Sequence, residues 1–235
     1  MKRHFTALIL AGGLGTRLRP VVSELPKVMA VVNGRPFLMY ILDQLVAAGA
    51  EEIVLCTGYL GEIIKAAFGY EYKGAVIKYS QEMHPLGTGG ALRNAFDLIV
   101  SDSVLVMNGD SYCDIDLSSF LAWSFNRKYD ATLVLTQVED ISRYGGVEID
   151  KDGRILSYKE KGPNHVPGLI NSGIYLFKKQ LLELIPLGVK YSIEREFLPK
   201  LIENGLNGFC FNGRFIDIGT PESYHLAEEF FRENN

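Results

Sequence analysis

In the front half of the chain, short apolar runs alternate with stretches whose apolar side chains recur at helical spacing, and few architectures accept that rhythm. Residues 5–10, 52–56, 75–79 and 103–107 are apolar runs too short for helices and read as buried strands. Residues 36–48 place Phe37, Leu38, Ile41, Leu42, Leu45 and Val46 on one helical stripe, which Gly49 ends. Residues 59–68, closed by Gly69, and residues 88–100 read as two further helices. Strands joined through helices pair in parallel with right-handed crossovers, which predicts an α/β fold. In such sheets ligands bind outside the carboxyl ends of the strands.

From about residue 130 the rhythm changes. Residues 132–138, 145–149, 155–158 and 173–177 read as strands with less helix between them, and Lys151-Asp152-Gly153-Arg154 reads as a hairpin turn. Helices return at 192–202 and 221–231, the second with Thr220 as N-cap and Pro221 at the first helical position. No low-complexity linker or internal repeat divides the chain. Residues 1–235 therefore read as one domain, with a front half to about residue 130 and a β-rich lobe from 131 to 235.

The first strand runs into Ala11-Gly12-Gly13-Leu14-Gly15-Thr16-Arg17-Leu18-Arg19, with Pro26-Lys27 downstream. Glycines leave backbone N–H groups free to approach a ligand, and successive N–H groups form an anion-binding concavity. Arg17, Arg19 and Lys27 add positive charge, so the loop suits a polyphosphate. A plain structural turn is the alternative for such a loop in isolation. Two familiar phosphate loops fit badly: the third glycine of a dinucleotide fingerprint would fall on Leu18, and Lys27 sits in Pro-Lys-Val, outside any Gly-Lys-Ser/Thr sequence.

A second apolar strand ends in Asn108-Gly109-Asp110, placing a carboxylate at a strand's carboxyl end. Phe215-Ile216-Asp217-Ile218-Gly219 delivers another acid just before a helix. A carboxylate beside phosphates is costly unless a cation stands between them. Mg²⁺ is the natural choice, because it takes few carboxylates and shares its shell with phosphates and water. In isolation, Asn-Gly-Asp would equally serve as a capped turn. Asp114 and Asp116 read as solvated or capping residues. Between these acids, Gln81-Glu82-Met83-His84-Pro85-Leu86-Gly87-Thr88-Gly89-Gly90 could pass close against a flat base, or could simply open a helix. Gln81 or Glu82 could accept from the N–H edge of guanine.

Composition removes other classes. A net charge of −4 argues against nucleic acid as the main partner. The absence of a long apolar run argues against a membrane span. Cys56, Cys113 and Cys210 are too few and too scattered for a disulfide framework or a zinc site, which suits a reducing cytoplasm. Met1-Lys2-Arg3-His4 imitates the start of a signal peptide, but the apolar run after it stops at glycines and arginines. His4, His84, His165 and His225 read as surface or packing residues.

Leu10 through Leu18 with Pro26-Lys27, the Pro-Leu-Gly-Thr-Gly-Gly turn and Phe-Ile-Asp-Ile-Gly-Thr-Pro-Glu-Ser-Tyr together resemble the sugar-1-phosphate nucleotidyltransferases. The resemblance runs from Leu8 to about Leu226. It implies a Rossmann-like, mixed and mostly parallel sheet flanked by helices, with a β-rich sugar-binding lobe. It also implies transfer of a nucleotidyl group from a nucleoside triphosphate to a sugar 1-phosphate, with release of pyrophosphate. Carried over position by position, it implies catalytic roles for Arg17, Lys27, Asp110 and Asp217, with Mg²⁺ on the two aspartates. Nucleotide contact would fall to Leu10, Ala11, Gly12, Gly13, Gly15, Thr16, Gln81, Glu82, Gly87, Thr88 and Gly109. Gly145, Glu160 and Asn171 would meet the sugar, and Lys161 its phosphate. Glu160-Lys161-Gly162-Pro163 departs from the commoner Glu-Lys-Pro, and Val28 replaces the proline that usually follows the lysine; both touch substrate fit more than reaction type. Arg143-Tyr144-Gly145 and Gly168-Leu169-Ile170-Asn171-Ser172-Gly173-Ile174-Tyr175 look most like the branch that uses GTP and D-glycero-α-D-manno-heptose 1-phosphate, a route to surface glycans such as lipopolysaccharide or capsule. Mannose, glucose and N-acetylmuramate 1-phosphates are the neighbouring substrates. A homodimer is the fold-level expectation, and a nucleotide-sugar sensor without catalysis is the rival from another class.

Overall fold

The structure is a computed structural model that describes residues 4–232 apart from 14, 19, 23, 160, 161, 163 and 164. Glu160, Lys161 and Arg19 therefore lie outside the described residues. In chain order the front half contains β1 (Thr6–Leu10), β2 (Val31–Val32), β3 (Arg35–Pro36), α1 (Phe37–Ala47), β4 (Glu52–Thr57), α2 (Gly61–Phe68), β5 (Glu71–Tyr72), β6 (Ala75–Gln81), α3 (Gly87–Asn94), β7 (Ser103–Asn108), β8 (Ser111–Cys113) and α4 (Leu117–Arg127). The back half adds β9 (Ala131–Val138), β10 (Val147–Ile149), β11 (Ile155–Tyr158), β12 (Gly168–Lys178), α5 (Leu198–Glu203), β13 (Asn207–Phe211), β14 (Phe215–Asp217) and α6 (Pro221–Arg232).

Among the described residues the central sheet has eight strands in the order β13-β9-β12-β7-β1-β4-β6-β5. The pairs β7-β1, β1-β4, β4-β6 and β13-β9 are parallel, while β12 runs antiparallel to both β7 and β9, and β5 to β6. The sheet is thus mixed and mostly parallel. The strands of the back half do not stand apart: β9, β12 and β13 extend the same sheet. Among the described residues the β10-β11 hairpin, the β8-β14 pair and the short β2-β3 pair lie outside it.

Both faces of the sheet are covered, which explains why its central strands read as continuous apolar runs. Ala7 and Ile9 of β1 point into one core, shared with Phe37 and Ile41 of α1 and with α4 and α6, and Leu8 points into the other, shared with Leu92 of α3 and Leu198 of α5. Helix α6 docks through a stacked Tyr40–Phe231 pair with ring centroids 3.8 Å apart. Its start is as expected, with Ser223 N–H donating to Thr220 Oγ1 at 3.2 Å.

Three elements differ from expectation. Helix α3 stops at Asn94 and gives way to a tighter turn at Phe96–Leu98; Asn94 donates its amide to Ser80 Oγ at 2.9 Å. The segment expected as one helix over 192–202 begins as a π-helical turn, Ile193–Phe197, with Phe197 N–H reaching Ser192 O at 3.1 Å. Pro199, in the first turn of α5, has no N–H with which to continue an α-type ladder back into that turn. Helix α4 was not anticipated, though Leu117, Phe120, Leu121 and Ser124 form its buried stripe and Asp116 caps it by accepting from Ser118 N–H at 3.0 Å.

Candidate active site

Strands β1, β4, β6 and β7 are parallel, so their carboxyl ends share one edge of the sheet. Antiparallel β12 brings its amino-terminal part to that same edge, since Ile174 pairs with Met107. After β1, Ala11 N–H continues the ladder to Cys56 O at 2.9 Å. Gly12 then passes the loop after β4 so closely that a Cβ would lie 3.2 Å from Gly58 N. Gly13 has open space around it and is exposed. Leu10, Ala11, Gly12 and Gly13 line a cleft of about 380 Å³. Lys27, Asn108 and Asp110 form its floor beside them. Gly15, Thr16 and Arg17 follow outside that lining, with Thr16 and Arg17 exposed.

The two acids meet through the backbone. Asp217 on β14 pairs with Ser111 on β8, and Ile218 N–H donates to Asp110 O at 2.9 Å. The Asp110 carboxylate is half-exposed and holds Lys27 Nζ at 2.6 Å. Asp217 is largely buried and accepts from Gly219 N–H at 2.6 Å, Arg143 at 3.2 Å and the Tyr144 hydroxyl. Burial and the Asp217 charge together push the Tyr144 phenol well above its ordinary value, so it stays a donor. A Cβ on Gly219 would lie 2.5 Å from Asp217 Oδ1, so only glycine leaves room for that carboxylate. Among the described residues no three His, Cys, Asp or Glu side chains form a metal cage. Asp110 lines the cleft, whereas Asp217 does not and is tied to Asp110 through the β8-β14 pair. Two carboxylates on linked strand ends are nonetheless a donor set of the kind Mg²⁺ takes.

In the base-side turn, Gln81 and Glu82 are placed differently. Glu82 lines the cleft, whereas Gln81 lies outside the lining and Gly109 is buried with its N–H bonded to Leu10 O at 3.0 Å. Desolvation raises the Glu82 carboxyl above its usual value, partly offset by the Leu86 N–H at 3.1 Å. Gly87 and Thr88 also line the cleft. Gly89 and Gly90 do not; their N–H groups both reach Tyr191 O, at 2.9 and 3.1 Å, and a Cβ on Gly89 would meet the Tyr191 ring at 2.9 Å. Those glycines seat the chain before the π-helical turn.

A second cleft of about 370 Å³ lies beyond Asn108, which borders both. Tyr144, Tyr158, Asn171 and Glu194 line it. The pairing of β12 with β9 is irregular between Asn171 and Tyr175, and such bulges re-aim side chains next to sites. Gly173 inside the bulge has φ +81°, and its missing side chain makes room for the Asn108 amide. Asn108 Oδ1 is buried without a hydrogen-bond partner among the described residues. Gly145 is buried behind Tyr144, with φ +86° and its N–H on Ile141 O at 2.9 Å.

A sequence profile described as nucleotidyl transferase matches residues 6–234. The chain belongs to that family. It is 43% identical over 224 residues to a D-glycero-alpha-D-manno-heptose 1-phosphate guanylyltransferase of Aneurinibacillus thermoaerophilus, covering 95% of this chain and 96% of that protein. A protein of the same name from Campylobacter jejuni subsp. jejuni is 40% identical over 220 residues, covering 93% and 96%. The crystal structure of HddC from Yersinia pseudotuberculosis complexed with GMP-PN superposes with a TM-score of 0.84 at 38% identity, covering 97% of this chain and all of that one.

In this nucleotidyltransferase the structure thus gathers Leu10 to Gly13, Lys27, Glu82, Gly87, Thr88 and Asp110 around one cleft and Asn171 around the next. Lys190 at the first cleft and Glu194, Arg195 and Tyr158 at the second carry no motif signal. Glu194 lies in Ser192-Ile193-Glu194-Arg195-Glu196, which reads as the charged first turn of a surface helix. Among the described residues no helix of the transferase is long and apolar enough to cross a membrane.

Proposed function

We propose that this nucleotidyltransferase joins GTP to D-glycero-α-D-manno-heptose 1-phosphate, giving the GDP-sugar and pyrophosphate. The observation that carries the reading is the pair of heptose 1-phosphate guanylyltransferases at 43% and 40% identity, each matched over nearly its full length. The two clefts that meet at Asn108, beside Asp110, support it from the geometry.

An oxygen of the sugar phosphate attacks the α-phosphorus of GTP. A new P–O bond forms as the bond to the bridging oxygen breaks, and pyrophosphate leaves with that electron pair. A phosphate monoester is already ionised, so no general base is needed. Both reactants are anions, and the main task is to hold them in line and offset their charge. The backbone of Gly12 and Gly13 meets the triphosphate, Lys27 faces the reacting phosphates and Arg17 the leaving pyrophosphate. Asp110 and Asp217 would hold Mg²⁺, which supplies charge neutralisation when bound. Glu82 accepts from the N1–H and N2–H₂ edge of guanine, while Gly87 and Thr88 flank the base. Asn171 and Gly145, with Glu160 and Lys161, receive the sugar and its phosphate.

Two halves of one domain divide the work, to about residue 130 for the nucleotide and from 131 for the sugar. The cytoplasm, where both substrates are made, is the expected compartment, and a homodimer the expected assembly. The test is incubation with GTP, the heptose 1-phosphate and Mg²⁺. Equimolar pyrophosphate and GDP-heptose support the reading. Nucleotide binding with no pyrophosphate across a panel of sugar 1-phosphates would instead favour a sensor.

A further inference from the structure

Glu194 joins the two clefts. On Oε2 its carboxylate accepts from Thr88 Oγ1 at 2.9 Å and Ser192 Oγ at 2.8 Å, and on Oε1 from the Tyr175 hydroxyl at 3.4 Å. Thr88 faces the first cleft, while Tyr175 and Glu194 face the second. Each hydroxyl has an outer neighbour as well: Ile193 N–H donates to Thr88 Oγ1 at 2.9 Å, and Asn171 Nδ2 donates to the Tyr175 oxygen at 2.8 Å. The backbone around Glu194 is the π-helical turn Ile193–Phe197, a rare conformation that is frequent at functional sites. Ser192 and Glu196 clamp it, with Ser192 N–H on Glu196 Oε2 at 2.8 Å and Arg195 N–H on Ser192 Oγ at 3.2 Å.

The chemistry of this chain of bonds has a direction. A carboxylate carries lone pairs and no hydrogen, so it draws the single hydrogen of each hydroxyl toward itself. Thr88 and Tyr175 then offer only lone pairs outward, and their outer neighbours must donate. Asn171 must then turn its NH₂ to Tyr175, and the Gly173 N–H, which can only donate, binds its Oδ1 at 2.9 Å in the same orientation. The amide is pinned at both ends, with one N–H and one lone pair left for a ligand. Tyr175 is wholly buried, and burial together with the Glu194 charge raises its phenol far above the ordinary value, so it remains a donor throughout the physiological range.

We infer that Glu194 is a positioning residue for the sugar 1-phosphate: acting through Tyr175, it holds the Nδ2 end of the Asn171 amide, as Gly173 N–H holds the Oδ1 end, so that the amide's remaining N–H and lone pair meet the sugar in one fixed orientation. This rests on the sugar contact proposed for Asn171. Glu194 itself touches neither reacting atom.

The test is steady-state kinetics for both substrates on E194Q, Y175F, the double variant and N171A, with melting curves alongside. E194Q is isosteric but can present an NH₂ to Tyr175, which turns the phenol's hydrogen toward Asn171 and sets it against the Gly173 N–H that holds Oδ1. It should raise KM for the sugar 1-phosphate about tenfold while KM for GTP and kcat move less than about threefold, as expected for loss of one oriented hydrogen bond in ground-state binding. Y175F should act in the same direction, and the double variant should be no worse than the worse single one, because both interrupt one relay. A merely structural Glu194 would raise both KM values and lower the melting temperature. An unchanged sugar KM in E194Q, or effects that multiply in the double variant, overturns the relay. If N171A also leaves the sugar KM unchanged, the sugar reading of Asn171 falls and takes the inference with it. If N171A raises it while E194Q is inert, only the relay falls.

Discussion

Lys27 Nζ lies 2.6 Å from Asp110 Oδ2, so the cation downstream of the glycine-rich loop and the acid at the end of β7 form one unit at the cleft floor. Lys27 is nearly enclosed, with 13% of its side chain exposed against 44% for Asp110. A part-exposed pair of this kind adds no more than about 1 kcal/mol to stability. Under the proposed reaction its weight in charge stabilisation is larger. K27A should lower kcat by about 10²-fold with a small change in melting temperature. K27R should recover little, since a planar guanidinium does not replace a compact ammonium against a single carboxylate oxygen. Turnover within a few-fold of wild type in K27A would remove Lys27 from the reaction.

The proposed Mg²⁺ site rests on Asp110 and Asp217. An Asn at position 217 keeps an oxygen for Gly219 N–H, so the local fold survives while the charge is lost. D110N and D217N should each lose at least about 10²-fold in turnover and need more Mg²⁺ for half-maximal rate. Near-normal turnover at saturating Mg²⁺ in both would overturn the metal assignment.

Glu82 makes a prediction about pH. Its folded carboxyl titrates above the ordinary carboxylate value because it is desolvated. A raised group stabilises the fold below its unfolded pKa and loses that contribution as pH rises through the folded pKa. E82Q should therefore melt higher than wild type at pH 7, and the difference should vanish near about pH 4. In activity the sign is opposite: Gln presents a donor to a donor edge, so kcat/KM for GTP should fall by about 10²-fold while ATP gains or is unchanged. An E82Q protein that still prefers GTP as strongly as wild type would exclude Glu82 as the base reader.

Gly109 is a stability site. A Cβ there would lie 2.7 Å from Leu10 O and 2.9 Å from Val28 Cγ1, in the tight crossing of the β1 and β7 ends. G109A should cost about 1–3 kcal/mol in denaturant unfolding, the usual range for overpacking. An unchanged unfolding midpoint would mean that the two strand ends separate freely.

The sequence exposes the parallel centre of the sheet because β1, β4 and β7 are buried on both faces and must be continuously apolar. It also marks the two acids, since each ends an apolar strand. Other features depend on packing at a distance. Strand β13 opens with Asn207-Gly208, which reads locally as a turn and becomes a strand only by pairing with β9. Helix α4 carries a legible stripe, diluted by Ser118, Ser119 and Ser124. Gly89 and Gly90 look like open backbone for a base, yet their freedom serves the carbonyl of Tyr191. Glu194 is the extreme case: it lies 106 residues from Thr88 in sequence, and only the fold sets it between Thr88 and Tyr175.

Guanylyl transfer to a heptose 1-phosphate can be measured as a matrix of kcat/KM values. GTP, ATP, UTP and dTTP are each paired with the 1-phosphates of D-glycero-α-D-manno-heptose, mannose, glucose and N-acetylmuramate. Heptose and mannose share ring stereochemistry and differ at the exocyclic carbon, so mannose 1-phosphate should be a slower substrate, within about 10–200-fold. GTP with the heptose should give the highest value, and the other bases should fall well behind. A higher value for UTP or dTTP than for GTP would contradict the guanylyl assignment, and a higher value for mannose 1-phosphate would contradict the sugar.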